Sequence, residues 1–124
     1  MQDNHYHGLH VIGELHDCDL KAFAPDHESL KELEAYVSGQ IKKTGLRELG
    51  AFYHYFGPGG VTAIICIEES HMAFHTWPED NYVTMDVYVC RYNQDKTQAA
   101  EDLFDHFAGN VFKAGDVTKR TLQR

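Results

Sequence analysis

Residues 68–80 read EESHMAFHTWPED, a run that sets paired glutamates ahead of Ser70, two histidines beyond it, and the chain's single tryptophan before Pro78, Glu79 and Asp80. Three chemistries use such residues. His71 and His75 have the i, i+4 spacing of a helical zinc pair. However, the glutamate of H-E-x-x-H is missing, and Phe74, Thr76, Trp77 and Pro78 favour a strand, in which four residues span roughly 13 Å. One metal ion does not suit both rings. A serine hydrolase would need Ser70 on a nucleophile elbow such as G-x-S-x-G, and no glycine flanks it. Local composition favours a solvated hairpin with Glu68, Glu69 and Ser70 in its turn.

The elements that must hold this run in place are legible on either side of it. GLHVIGELH (8–16) alternates loosely and reads as a first strand, ended by the break at Pro25 and Asp26. In 29–45, Leu30, Leu33, Val37 and Ile41 recur at helical spacing. Ser29 and Glu32 form a capping-box pattern there and Gly45 is the stop. LRELGAFYHYF (46–56) reads as a strand entering the turn GPGG (57–60), and VTAIICIEES (61–70) as a buried central strand.

Downstream, NYVTMDVYVC (81–90) alternates cleanly. Val83, Met85, Val87 and Val89 face one way, and Tyr82, Thr84, Asp86, Tyr88 and Cys90 the other. A second helix sets Ala100, Leu103, Phe104, Phe107 and Val111 on one side, and DVTKRTLQR (116–124) is expected to add an edge strand. The expected fold is α+β: a two-layer α/β sandwich in which a mostly antiparallel sheet carries helices on one face.

With 124 residues, 43% of them hydrophobic, the chain suits a single domain, 1–124. A net charge of -8 leaves no basic surface for phosphates, which argues against nucleic acid or an anionic membrane as partner. The N-terminal residues lack the pattern of a signal peptide and no apolar stretch is long enough to span a bilayer, so a cytoplasmic location is expected. Cys18, Cys66 and Cys90 are odd in number and far apart, against both a disulfide framework and a thiolate zinc site. His5, His7 and His10 cluster near the N-terminus without a carboxylate or cysteine at firm spacing and are read as surface residues, with at most stray metal affinity.

The run ESHMAFHTWPEDNYVTMDVYVC (69–90) resembles the processing region of the short bacterial and archaeal S-adenosylmethionine decarboxylases, a pyruvoyl-dependent family. The likeness extends upstream through FGPGGVTAIICIE (56–68) and more loosely to HVIGELHDCD (10–19). It implies a chain that makes its own cofactor. The Ser70 hydroxyl would attack the Glu69 carbonyl, elimination would sever the chain, and hydrolysis would leave a pyruvoyl group at residue 70. Residues 1–69 would become the beta chain and 70–124 the alpha chain.

The same resemblance assigns His75 as the base for elimination and Thr62 as processing support in place of the usual serine. It makes Cys90 the proton donor to the product carbanion. Phe56 would stack on adenine, Glu79 would hold the ribose hydroxyls, and Asp17 would lie near the substrate amine. The pyruvoyl ketone would take that amine as a Schiff base. No separate cofactor and no metal are implied.

Leu15 and His16, where aromatics often stand, and Arg91, where glycine usually follows the cysteine, depart from the pattern and bear on the adenosyl pocket. The implied activity is decarboxylation of S-adenosylmethionine for spermidine synthesis, by a homodimer of cleaved protomers. The alternatives are a decarboxylase of ornithine or arginine on the same scaffold and an unprocessed, non-catalytic homologue.

Overall fold

The computed structural model describes residues 7–21, 23, 26–90 and 96–124; the expectations placed on His5, Pro25 and Arg91 lie outside the described residues. Six strands form one sheet: β1 (Gly8–His16), β2 (Glu48–Phe56), β3 (Gly60–Ile67), β4 (Ser70–Trp77), β5 (Tyr82–Cys90) and β6 (Asp116–Gln123). Their order is β2-β3-β4-β5-β1-β6, and every neighbouring pair is antiparallel. Two helices, α1 (His27–Lys43) and α2 (Thr97–His106), cover one face, and α2 runs on into a wider helical turn over Phe107–Val111.

The alternation read in 82–90 is the alternation observed, with Val83, Met85, Val87 and Val89 all buried against the helices. Val11 and Leu15 of β1 and Val61, Ala63, Ile65 and Ile67 of β3 join them, as do Met72 and Phe74 of β4. The helices contribute Leu30, Leu33, Val37 and Ile41 from α1 and Ala100, Leu103 and Phe104 from α2. Gly13 is required where it stands. A Cβ there would collide with the Phe104 ring, so the missing side chain is what lets α2 lie flat on β1.

α1 begins earlier than the capping-box pattern indicated. Asp26 is the N-cap, its carboxylate accepting the Ser29 amide at 2.8 Å, and the helix starts at His27. An aspartate fills the N-cap role as well as a serine would. The helix ends as expected, with Gly45 in the left-handed region at φ 86°.

β3 is central in order but is buried on one face only. Ile64 and Cys66 point away from the helices and are exposed. The expectation of a strand buried on both sides fails because a single chain has no layer over its second sheet face. That open face also shows Phe52, Phe56 and Trp77 to solvent.

Candidate active site

The turn before Ser70 is tighter than its sequence implied. Ile67 pairs with Ser70, so the loop is Glu68 and Glu69 alone and Ser70 is already the first residue of β4. Glu69 sits at φ 59° in the left-handed region, where a turn prefers glycine or asparagine. For a residue with a Cβ this conformation costs about 1–2 kcal/mol. The strain therefore lies on the residue whose carbonyl belongs to the Glu69–Ser70 bond. Across from it, the Cys90 amide donates to the Ser70 hydroxyl oxygen at 3.2 Å, bringing the end of β5 against the start of β4. Cys90 is half-buried on the open face beside Tyr88, as expected for a thiol in a site rather than in the core.

A second group of residues gathers at the opposite end of the sheet. Thr62 and His75 are cross-strand partners, and Thr62 Oγ1 lies 2.9 Å from His75 Nδ1. They line an open cleft of about 800 Å³ together with Phe56, Pro58, Trp77 and Glu79. That volume is within the range of small-molecule sites, roughly 300–1,000 Å³.

Two hydrogen bonds hold the rim of the cleft. The Tyr55 hydroxyl accepts the Gly59 amide at 3.0 Å, and Thr76 Oγ1 accepts the Val61 amide at 2.9 Å. A ribbon of rings extends across the face from His75 through Trp77 and Tyr82 to His16, with centroid separations of 6.1, 5.3 and 4.9 Å. His54 packs edge-on against Phe56 at 4.4 Å. His16 was noted from sequence only as a departure at the adenosyl pocket, and neither Tyr82 nor His54 was linked to the cleft. Pairing each with its neighbour needs the strand register.

Asp17 lies just past the end of β1, exposed and at φ 52°, on the side of the sheet where β5 begins. It therefore shares an end with Trp77 and Glu79, not with Ser70. Beside it, Cys18 is buried and its thiol is pushed up to about 11, first by burial and then by the charge of Asp17. Of the two roles open to that thiol, structural packing is the one its surroundings support.

The expected site residues thus form two groups. Glu69, Ser70 and Cys90 are together; Thr62, His75, Phe56 and Glu79 are together. Ser70 and His75 lie on one strand five residues apart, roughly 16 Å at the usual rise. A third cluster, His10, His71 and Asp86, occupies the open face between them. Sequence reasoning dismissed these two histidines separately, because only the β4-β5-β1 order shows that they flank one aspartate.

The sequence model of the S-adenosylmethionine decarboxylase family matches residues 9–124. The chain is 36% identical over 94 residues to the S-adenosylmethionine decarboxylase proenzyme of Sulfurihydrogenibium sp. (strain YO3AOP1), which covers 76% of this chain and 68% of that protein. It is 31% identical over 117 residues to the proenzyme of the same name from Thermoplasma volcanium, covering 94% and 83%. The crystal structure of the adenosylmethionine decarboxylase from Aquifex aeolicus has the same fold, with a TM-score of 0.74 at 27% identity over 96% of this chain and 91% of that one. Fold, turn and matched residues agree: the chain belongs to the S-adenosylmethionine decarboxylase family.

Proposed function

We propose that this chain is the proenzyme of a pyruvoyl-dependent decarboxylase that converts S-adenosylmethionine to its decarboxylated form, the aminopropyl donor of spermidine synthesis. The observation that carries the reading is a strained two-residue turn ending in Ser70, with Cys90 against it, in a chain of this family. Family membership favours S-adenosylmethionine over ornithine or arginine as substrate.

Processing would start at Ser70. Its hydroxyl oxygen attacks the Glu69 carbonyl carbon, the C–N bond gives way to an ester, and the freed amine becomes that of residue 70. Ester formation from a relaxed peptide is uphill, and release of the left-handed strain at Glu69 offsets part of it. Loss of the Ser70 Cα proton then requires a base; it expels Glu69 as a free carboxylate and leaves a dehydroalanine, whose imine tautomer takes up water and releases ammonia to give the ketone. For His75 to act through Nε2, its Nδ1 carries the proton and donates to Thr62 Oγ1, the contact seen at 2.9 Å.

The resulting pyruvoyl group is residue 70 itself, so the residues that would hold it are those already around Ser70, and a half-buried position against Cys90 fits it. The group supplies an electrophilic ketone for the substrate amine and, through its amide carbonyl, a sink for the electron pair released with CO₂. Cys90 delivers the proton to the substrate carbon. Phe56 offers a flat exposed face for the nucleobase, and Glu79 an acceptor for the ribose diol.

His75 and Ser70 cannot meet within one chain. A second copy laid against the open face would bring the Ser70–Cys90 end of one protomer to the Thr62–His75 cleft of the other. Phe52, Ile64 and Trp77, exposed on that face, would be covered in such a homodimer. No helix among the described residues is long and apolar enough to cross a membrane, and the reading needs none.

Denaturing mass spectrometry of purified protein, with CO₂ release from carboxyl-labelled S-adenosylmethionine, tests the proposal. Two fragments with a blocked residue 70 and measurable release are expected. An intact chain after long incubation would favour a non-catalytic homologue, and release from ornithine or arginine alone would transfer the activity to those substrates.

A further inference from the structure

We propose that His10, His71 and Asp86 form a binding site for one divalent transition-metal ion of the Zn²⁺ or Co²⁺ class. The three residues come from β1, β4 and β5, with Asp86 on the middle strand and a histidine on each side. His10 Nε2 lies 2.8 Å and His71 Nε2 3.3 Å from the same oxygen, Asp86 Oδ2. One donor atom from each residue lies within 4.8 Å of the other two.

These spacings are those of a ligand set. Around an ion with bonds of about 2.0–2.2 Å, tetrahedral ligand atoms are about 3.3–3.6 Å apart and cis octahedral ones about 2.8–3.1 Å. The His10 edge of 2.8 Å matches the octahedral range and the His71 edge of 3.3 Å the tetrahedral one, and the third, bounded by 4.8 Å, would settle to one geometry on binding. The two imidazoles meet edge-on, at 87° and 5.6 Å, so they do not stack and their nitrogens are free to converge. Two imidazole nitrogens and one carboxylate suit zinc, cobalt or nickel better than the hard cations, and they leave coordination positions open.

The site uses none of the residues assigned to processing, yet His71 directly follows Ser70. A bound ion would tie the first residues of β4 to β5 and β1. One group opposes it. Arg124 Nη1 donates to His10 Nδ1 at 3.1 Å, which leaves the ring proton on Nε2, facing Asp86. Coordination through Nε2 moves that proton to Nδ1, so the guanidinium must turn away.

The test is titration of the full chain, freed of metal by a chelator, with ZnCl₂ in a calorimeter and with CoCl₂ by visible absorption. One ion per chain is expected, with Asp86→Asn and His71→Ala each weakening affinity by about tenfold or more. Circular dichroism checks that both variants are folded. Arg124→Ala should bind more tightly than the wild type. A His5→Ala, His7→Ala double variant should bind as the wild type does, since those histidines are not part of the set. Undiminished binding by folded Asp86→Asn, loss of binding in the double variant, or no binding by the wild type would overturn the proposal.

Discussion

The distance between Ser70 and His75 leads to a complementation experiment. A general base must come within about 2.6–3.2 Å of the proton that it removes. Along β4 these two residues are roughly 16 Å apart, and a sheet hydrogen-bonded on both sides of β4 cannot fold to shorten that span. If each site pairs Ser70 of one protomer with His75 of the other, a Ser70→Ala chain and a His75→Ala chain are each inactive alone. A mixed dimer of the two holds one site with both substitutions and one site with neither.

The two chains would be co-expressed with different tags. Random pairing of equal amounts makes half the dimers mixed, so total CO₂ release should be about one quarter of the wild-type value, rising to about one half after selection for both tags. Mass spectrometry adds a readout independent of turnover. The His75→Ala chain, which keeps Ser70, should be cut only when it is paired. A doubly tagged dimer in which that chain stays intact and no CO₂ is released would refute the shared site.

Other outcomes follow from the same geometry. Glu69→Asn keeps a side chain but tolerates the left-handed region, so it should slow self-cleavage by about five- to thirtyfold, the rate equivalent of about 1–2 kcal/mol, in a time course by denaturing gel; an unchanged rate would mean the strain is not released on the way to the ester. Ser70→Ala should leave the chain whole. Cys90→Ala should still cleave, but CO₂ release should fall by about a hundredfold to ten-thousandfold, and an undiminished rate would remove the thiol from the proton transfer.

On the helical side, Lys119 of β6 sits under α2, 3.0 Å from Asp105 and 2.5 Å from Glu101, with Phe104 beneath it. Burial alone would lower its pKa; the hydrogen bonds and charges of Glu101 and Asp105 outweigh burial and raise it above 10.5. Lys119→Met should therefore destabilise the fold by about 1 kcal/mol at neutral pH. Because the folded-state value is the higher one, that contribution is complete below 10.5 and disappears as pH rises through the folded value. Urea midpoints of both proteins across that range check it, and a difference that grew with pH would contradict the sign.

Much of the fold was legible because one buried face imposes a period. Val83, Met85, Val87 and Val89 alternate, and so does β5; Leu30, Leu33, Val37 and Ile41 repeat at helical spacing, and so α1 lies on the sheet. β6 was foreseen as an edge strand and is one. What failed were features decided between neighbours. The cap of α1 depended on whether the helix began behind Asp26, which accepts the Ser29 amide, or three residues later behind Ser29. The burial of β3 depended on whether anything covered Ile64 and Cys66, and an apolar run carries no sign of which layer supplies its second face.

For the candidate site the sequence offered residues to look for but not their arrangement. Resemblance to the family, not residue types and spacing alone, named Ser70, His75, Cys90 and Thr62, and pairing of β3 with β4 puts Thr62 beside His75. The strand arithmetic that separated His71 from His75 also separates Ser70 from His75 once Ser70 is known to begin β4 rather than to lie in the turn. That boundary decides the matter. Were Ser70 a mobile turn residue, its hydroxyl could fold back toward the cleft of its own chain. As the first residue of β4, paired with Ile67 and bonded to the Cys90 amide, it is held at the far end from His75, which is why the proposed site draws its base from a second protomer.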